Sequence, residues 1–169
     1  GGSCFPKDVK AIIRSGREAG MSLEVLDAVE RVNQQQKTVL ARKVLDHFGG
    51  DVKGKTFALW GLSFKPQTDD IREAPALEII DMLTAEGASI AAFDPKGAEA
   101  TRRQIGDKIT YVERNYDALD GADALLIATE WNEFRHPDFD EIKSRLAAPV
   151  IFDGRNIYDG AKLRELGFT

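Results

Sequence analysis

The sequence predicts an α/β fold, a Rossmann-like doubly wound parallel sheet preceded by a long helical arm, and three observations carry that expectation. From Lys55 onward, short apolar runs alternate with amphipathic stretches, the order of strands joined by crossover helices. The runs "TFALWGL", "ASIAAFD", "ALLIAT" and "PVIFDG" are apolar nearly throughout rather than at every second residue, as strands covered on both faces require. Ahead of them, apolar residues recur at three- and four-residue steps over a stretch longer than a small domain needs.

In chain order, Val9, Ile12 and Ile13 mark a short amphipathic helix closed by Gly20. Ser22 reads as the N-cap of a much longer helix. Leu23, Leu26, Val29, Val32, Val39, Leu40, Val44 and Phe48 form its apolar stripe, and Gly49-Gly50 ends it. Over residues 22–48 such a helix runs roughly 40 Å at 1.5 Å per residue. Part of the stripe must then meet a second subunit or, on the plainer reading, the core of its own domain. "DVKGK", residues 51–55, is the seam between the arm (1–50) and the α/β domain (51–169). Beyond it, "ITYV" is a weaker fifth strand, and helices are expected over 76–86, 98–104, 116–119 and 139–146. Pro75 suits a first helical turn and Gly87 follows the helix. Right-handed crossovers between parallel strands then make the doubly wound sandwich the leading topology.

Composition narrows the function. The 169 residues suffice for one well-cored domain with an appended element, and the apolar share of 43% is that of an ordinary globular protein. The 23 Lys and Arg against 28 Asp and Glu give a net charge of −5, which argues against nucleic acid or anionic membrane as partner. A local basic pocket for one phosphate group is still compatible with it. No run approaches a membrane span and no signal-peptide layout is present. The single cysteine forms no internal disulfide and points to a reducing, cytoplasmic setting. His47 and His136 lie far apart and suggest no metal site. Gly1, in place of a Met, suggests a piece of a longer protein.

Ligands of a doubly wound sheet sit at the carboxyl ends of its strands. The first strand ends in Gly61-Leu62-Ser63-Phe64-Lys65, where Ser63 replaces the second glycine of a dinucleotide fingerprint and a long loop delays the next helix. Lys65 and Arg72, in a loop feeding a helix N-terminus, suit a phosphate; alternatively they pair with Asp69, Asp70 and Glu73 in a solvated loop. The last strand ends in Asp153-Gly154-Arg155-Asn156, where Arg155 can fork onto a phosphate or carboxylate, or sit in a surface ion pair. Cys4 precedes Pro6 at the start of a helix with Lys7 beside it, surroundings that favour thiolate. Asp8 could then exchange protons, or only satisfy the helix's free N–H groups, and a lone cysteine can equally be a passive packing residue.

Five stretches in this order, "GGSCFPKDVKA", "GLSFKPQTDDIREAPALEII", "AAFDP", "GADALLIATEWNEFRHPDF" and "VIFDGRNIYD", resemble the UDP-glucose 6-dehydrogenases among the nucleotide-sugar dehydrogenases. The resemblance covers nearly the whole chain and is to the C-terminal half of such an enzyme. The NAD-binding domain with its glycine fingerprint, and the upstream catalytic lysine and asparagine, fall outside this sequence. It implies oxidation of the C6 alcohol of UDP-glucose to a carboxylate in two NAD-dependent hydride transfers, through a thiohemiacetal and a thioester on Cys4. Asp8 would handle protons and water. Gly1, Phe64, Lys65 and Arg155 would contact substrate, and Lys7 and Arg72 would contact NAD. The long helix would make a homodimer. GDP-mannose dehydrogenase, with similar cysteine and "GLSFK" patterns, is the nearest enzyme alternative, although "TEWNEF" and "FDGRN" favour the UDP-glucose branch. A non-catalytic nucleotide-sugar-binding module is the alternative of another class.

Overall fold

The computed structural model describes residues 4–169, Cys4 through its backbone only. Helix α1 (Cys4–Glu18) turns its apolar side inward at Ile13, and Gly20, in the left-handed region at φ 71°, ends it as the sequence suggests. The expected single long helix is two: α2 (Glu24–Lys37) and α3 (Val39–His47), with Thr38 between them. The Thr38 hydroxyl donates to the Gln35 carbonyl at 2.8 Å, drawing it away from the helical ladder. Ser22 is not the N-cap. Leu23 takes that position, and its aliphatic side chain, with no acceptor to cap the helix, packs against α1, where a Cβ on Gly16 would stand 2.6 Å from it. Glu24 and Asp27 in the first turn favour the positive helix end instead.

The predicted stripe also resolves into two faces. Leu26, Glu30, Asn33, Lys37, Leu40 and Val44, spaced by three and four, turn toward the rest of the protein, and the last three are buried. Val25, Val29 and Val32 point outward at 76%, 48% and 58% exposure. Leu40, Ala41 and Val44 of α3 belong to the α/β core.

Five parallel strands form one sheet: β1 (Thr56–Trp60), β2 (Ser89–Phe93), β3 (Thr110–Tyr111), β4 (Ala124–Ile127) and β5 (Ile151–Asp153). Their order, β3-β2-β1-β4-β5, is the doubly wound order the alternation predicted, with the reversal between β1 and β4. Helices α4 (Pro75–Ala85), α5 (Ala98–Ile105), α6 (Asn132–Arg135), α7 (Phe139–Arg145) and α8 (Gly160–Glu165) join or follow the strands, and residues 115–119 form a 3₁₀ turn. The sequence reading missed α6 and α8, whose four and six residues are too short to show a helical period.

Alternation along β1 builds two cores. Phe57 and Leu59 pack with α3 and α4 through Val44, Ile79, Ile80 and Leu83, whereas Ala58 and Trp60 face Leu119, Phe134 and Ile142. Trp60 is fully buried, stacks on Phe134 with ring centroids 5.0 Å apart, and donates its indole N–H to the Asn115 carbonyl at 2.7 Å. Beyond β5, the Ile151 amide bonds the Thr169 carbonyl and the Thr169 amide bonds the Pro149 carbonyl, so the terminal residues cover that edge. The register aligns Trp60 with Phe93 and Ile127, and Ile127 with Asp153. The loops after β1, β2, β4 and β5 therefore leave from one edge. Among the described residues no helix is long and apolar enough to cross a membrane.

Candidate functional site

At that edge β1 is followed by Gly61, whose φ of 97° is a conformation that L side chains rarely adopt. A Cβ there would stand 2.4 Å from Thr129 Cβ and 2.6 Å from the Thr129 amide nitrogen. The bare backbone lets the loops after β1 and β4 touch, and the Thr129 hydroxyl closes the contact with a 2.5 Å bond to the Ser63 carbonyl.

Asp94, directly after β2 and 4% exposed, holds the next layer. Its carboxylate accepts from the amides of Leu62 (2.7 Å), Ser63 (2.9 Å), Lys96 (2.9 Å) and Gly97 (2.6 Å), from the Ser63 hydroxyl and from the Trp131 indole. In a dinucleotide fold the amides after β1 face a pyrophosphate and the acid after β2 meets a ribose. Here the one satisfies the other. The crevice of this sheet does not fit a dinucleotide, in accord with the missing fingerprint.

Open space lies instead between α2, α3 and the loops after β1 and β5. A cleft of about 580 Å³ is lined there by Lys37, Lys43, Phe64, Lys65, Glu73, Arg155 and Asn156, with Pro6 of α1 also on its wall. Such a volume suits a ligand of nucleotide size. A Cβ on Gly154 would stand 2.7 Å from the Ile127 carbonyl oxygen and 3.0 Å from Leu40, so the loop after β5 lies close against both β4 and α3. Asp153 folds that loop by accepting the amides of Arg155, Ile157 and Tyr158 at 2.7–2.9 Å.

Three of the residues singled out from the sequence, Phe64, Lys65 and Arg155, share this cleft. Lys65 is exposed, with its ammonium 5.3 Å from the Phe64 ring centroid. Arg155 donates from Nε to Glu130 at 2.6 Å. Arg72 is not on the cleft wall; its guanidinium forks onto Asp70 at 2.7 and 2.9 Å. Lys7 and Asp8 are exposed near the start of α1, likewise off the wall. Gly1 and the Cys4 side chain lie outside the described residues.

Sequence reasoning missed the charges that order the wall. Lys37 is 7% exposed and its ammonium is paired with Glu73, which also takes Lys10 of α1 at 2.7 Å. Lys10 lies 3.5 Å from Glu30 as well. The hydrogen bonds from Lys10 and then Lys37 hold the Glu73 carboxyl below the usual range, and its pairing with Glu73 raises the Lys10 ammonium. Glu73 also sits at φ 60°, uncommon for a residue with a Cβ. The signal was available in part: Glu30 and Lys37 occupy the same three-four register as Leu40 and Val44. Asp94 and Glu130 stood in quoted motifs, but nothing local distinguishes them from ordinary surface acids.

Comparison with known proteins bears on the whole arrangement. The model of the UDP-glucose/GDP-mannose dehydrogenase family's UDP binding domain matches residues 58–160, and that of its central domain matches residues 1–35. The chain belongs to the UDP-glucose/GDP-mannose dehydrogenase family. It is 43% identical to a UDP-glucose 6-dehydrogenase of Pseudomonas aeruginosa, over 99% of this chain and 38% of the relative. It is 38% identical to UDP-glucose 6-dehydrogenase TuaD of Bacillus subtilis, over 99% of this chain and 36% of that protein. Among solved structures, the UDP-glucose dehydrogenase of Pyrobaculum islandicum superposes with a TM-score of 0.81 at 36% identity, covering 98% of this chain and 36% of that one. The chain thus spans little more than a third of the length of these relatives.

Proposed function

We propose that this chain is the nucleotide-sugar-binding part of a UDP-glucose 6-dehydrogenase and that the cleft between α3 and the loops after β1 and β5 takes the UDP-sugar. The observation that carries the reading is the gathering of Lys37, Lys43, Lys65 and Arg155 around one cleft, where they outnumber the lining acids Glu73 and Asp153, in a chain of net charge −5. Local positive charge against an acidic background suits a diphosphate. Lys65 and Arg155 hold the phosphates and Phe64 packs against the ligand. The match to the family's UDP binding domain supports this assignment.

Cys4 is the proposed nucleophile toward the C6 aldehyde, with Asp8 as its proton-handling partner. Pro6, two residues on, lines the cleft, which supports a position for this turn beside the sugar. NAD, when bound, supplies the hydride acceptor. Lys7 and Arg72 are this chain's proposed contacts to it, outside the crevice that Asp94 fills. The outward face of Val25, Val29 and Val32 is the proposed dimer surface, since three exposed valines on one helical face favour burial against a partner.

Calorimetry tests the binding claim. UDP and UDP-glucose should bind at least about tenfold more tightly than uridine, and the advantage should shrink with salt. GDP-mannose should bind more weakly than UDP-glucose. Equal affinity for uridine and UDP would remove the phosphate site from the account.

A further inference from the structure

The "TEW" tripeptide after β4 binds three different loops. Thr129 donates to the Ser63 carbonyl after β1, Trp131 donates to Asp94 after β2, and Glu130 between them accepts from Arg155 after β5. The outer two brace the loops themselves, one through the Ser63 carbonyl and one through the buried Asp94 carboxylate. Glu130 alone acts on a side chain that faces the cleft.

Arg155 is pinned at two points. Its amide is bonded to Asp153 at 2.9 Å, which fixes where the side chain leaves the loop. Its Nε is bonded to Glu130 Oε2 at 2.6 Å, which fixes where the guanidinium lies. Glu130 engages that nitrogen only. Among the described residues neither Nη group has a hydrogen-bond partner, so the paired Nη edge that grips phosphate is left available. Glu130 is itself held, since it follows Thr129, whose position is set by the close contact with Gly61. Partial burial works against its charge, but the hydrogen bond from Arg155, its own backbone amide and the attraction of Arg155 and Arg135 outweigh that and keep the carboxyl below its usual range. It is therefore ionised and bonded at neutral pH.

We infer that Glu130 is a positioning residue for diphosphate recognition: it presents the Arg155 guanidinium with its Nη edge toward the ligand. The inference rests on the nucleotide-sugar reading of the cleft. Pre-ordering a long side chain removes the entropy that binding would otherwise spend on fixing it. Against this stands repulsion between Glu130 and a phosphate. The Nε edge holds the carboxylate on the side of the guanidinium away from the paired Nη edge, and the positive group between them screens the two anions.

The test is a double-mutant cycle on this chain, read by calorimetry with UDP and with uridine. Glu130→Gln and Glu130→Ala should each weaken UDP binding about threefold to tenfold, the range expected for releasing one rotamer-rich side chain, and leave uridine binding unchanged. In an Arg155→Ala background the same substitutions should change UDP affinity by less than about twofold, because nothing is left to position. A general loss of structure would weaken uridine as well and would persist in that background. Unchanged or tighter UDP binding by both Glu130 variants overturns the role of Glu130 alone. Failure of the unaltered chain to prefer UDP over uridine overturns the cleft reading and this inference together.

Discussion

Glu73 joins α1, α2 and the loop after β1 through one carboxylate, so its removal should be felt well beyond its own position. Glu73→Gln keeps the shape and one acceptor oxygen but loses the charge shared by Lys37 and Lys10. A hydrogen bond to a charged group contributes about 1.5–3 kcal/mol, and stranding one member of a buried pair costs about 3–5 kcal/mol. The lower end applies here because the Glu73 side chain is 30% exposed and Gln still accepts from one lysine. We expect a loss of about 2 kcal/mol. With a urea m value of about 2 kcal/mol/M, the unfolding midpoint should fall by about 1 M. Adding Lys37→Met should restore much of that loss, since it removes the stranded ammonium and leaves an uncharged side chain of similar length. The pH dependence has a defined sign. Glu73 has a lowered carboxyl, so its contribution is full above the ordinary glutamate value and is lost as pH falls through its depressed one. Lys10 has a raised ammonium, so its share is full below the ordinary lysine value and fades as pH rises through the raised one. The gap between wild type and Glu73→Gln should be widest near neutrality and close in acid. An unchanged midpoint, or a double variant no more stable than Glu73→Gln, would refute the reasoning.

Two further outcomes follow from single positions. Gly61→Ala should cost about 4 kcal/mol, combining a disfavoured φ with a Cβ forced onto Thr129, and denaturant melting that showed a loss under about 1 kcal/mol would contradict that geometry. If the valine face of α2 joins two copies, light scattering at micromolar concentration should give twice the 18.6 kDa chain mass, and Val29→Asp should return a monomer. A monomeric wild type would remove that interface.

The sheet was legible because β1 and β4 are short, apolar on both faces and bounded by turn residues, and because they alternate with helical stretches, which together favour covered parallel strands. β3 was faint for a physical reason: only Thr110 and Tyr111 pair, at an edge where one side is open. The arm was misread as one stripe because Val29 and Val32 are as apolar as Val44; the inward face instead combines Leu40 and Val44 with Lys37, whose partner Glu73 is thirty-six residues away and invisible to local periodicity. The site divides in the same way. Phe64, Lys65 and Arg155 stand at strand ends, where fold topology alone draws attention to them. Asp94 and Glu130 stand at strand ends too, but their importance lies in what they touch after folding. For Arg72 the sequence left a phosphate contact and a pairing with Asp70 open, and the fork onto Asp70 is a contact that only the folded loop displays.

The central claim is that the ligand occupies the lysine- and arginine-lined cleft while the crevice filled by Asp94 stays closed, and amide chemical-shift mapping during a UDP-glucose titration tests it most directly. The account predicts that the shifted amides will cluster at 64–65, 37–43 and 154–156, with Leu62, Ser63, Lys96, Gly97 and the Trp131 indole, all bonded to Asp94, nearly unmoved. Shifts centred on Lys96, Gly97 and the Trp131 indole, with Arg155 and Lys37 unaffected, would place the nucleotide at the sheet's own crevice and contradict it.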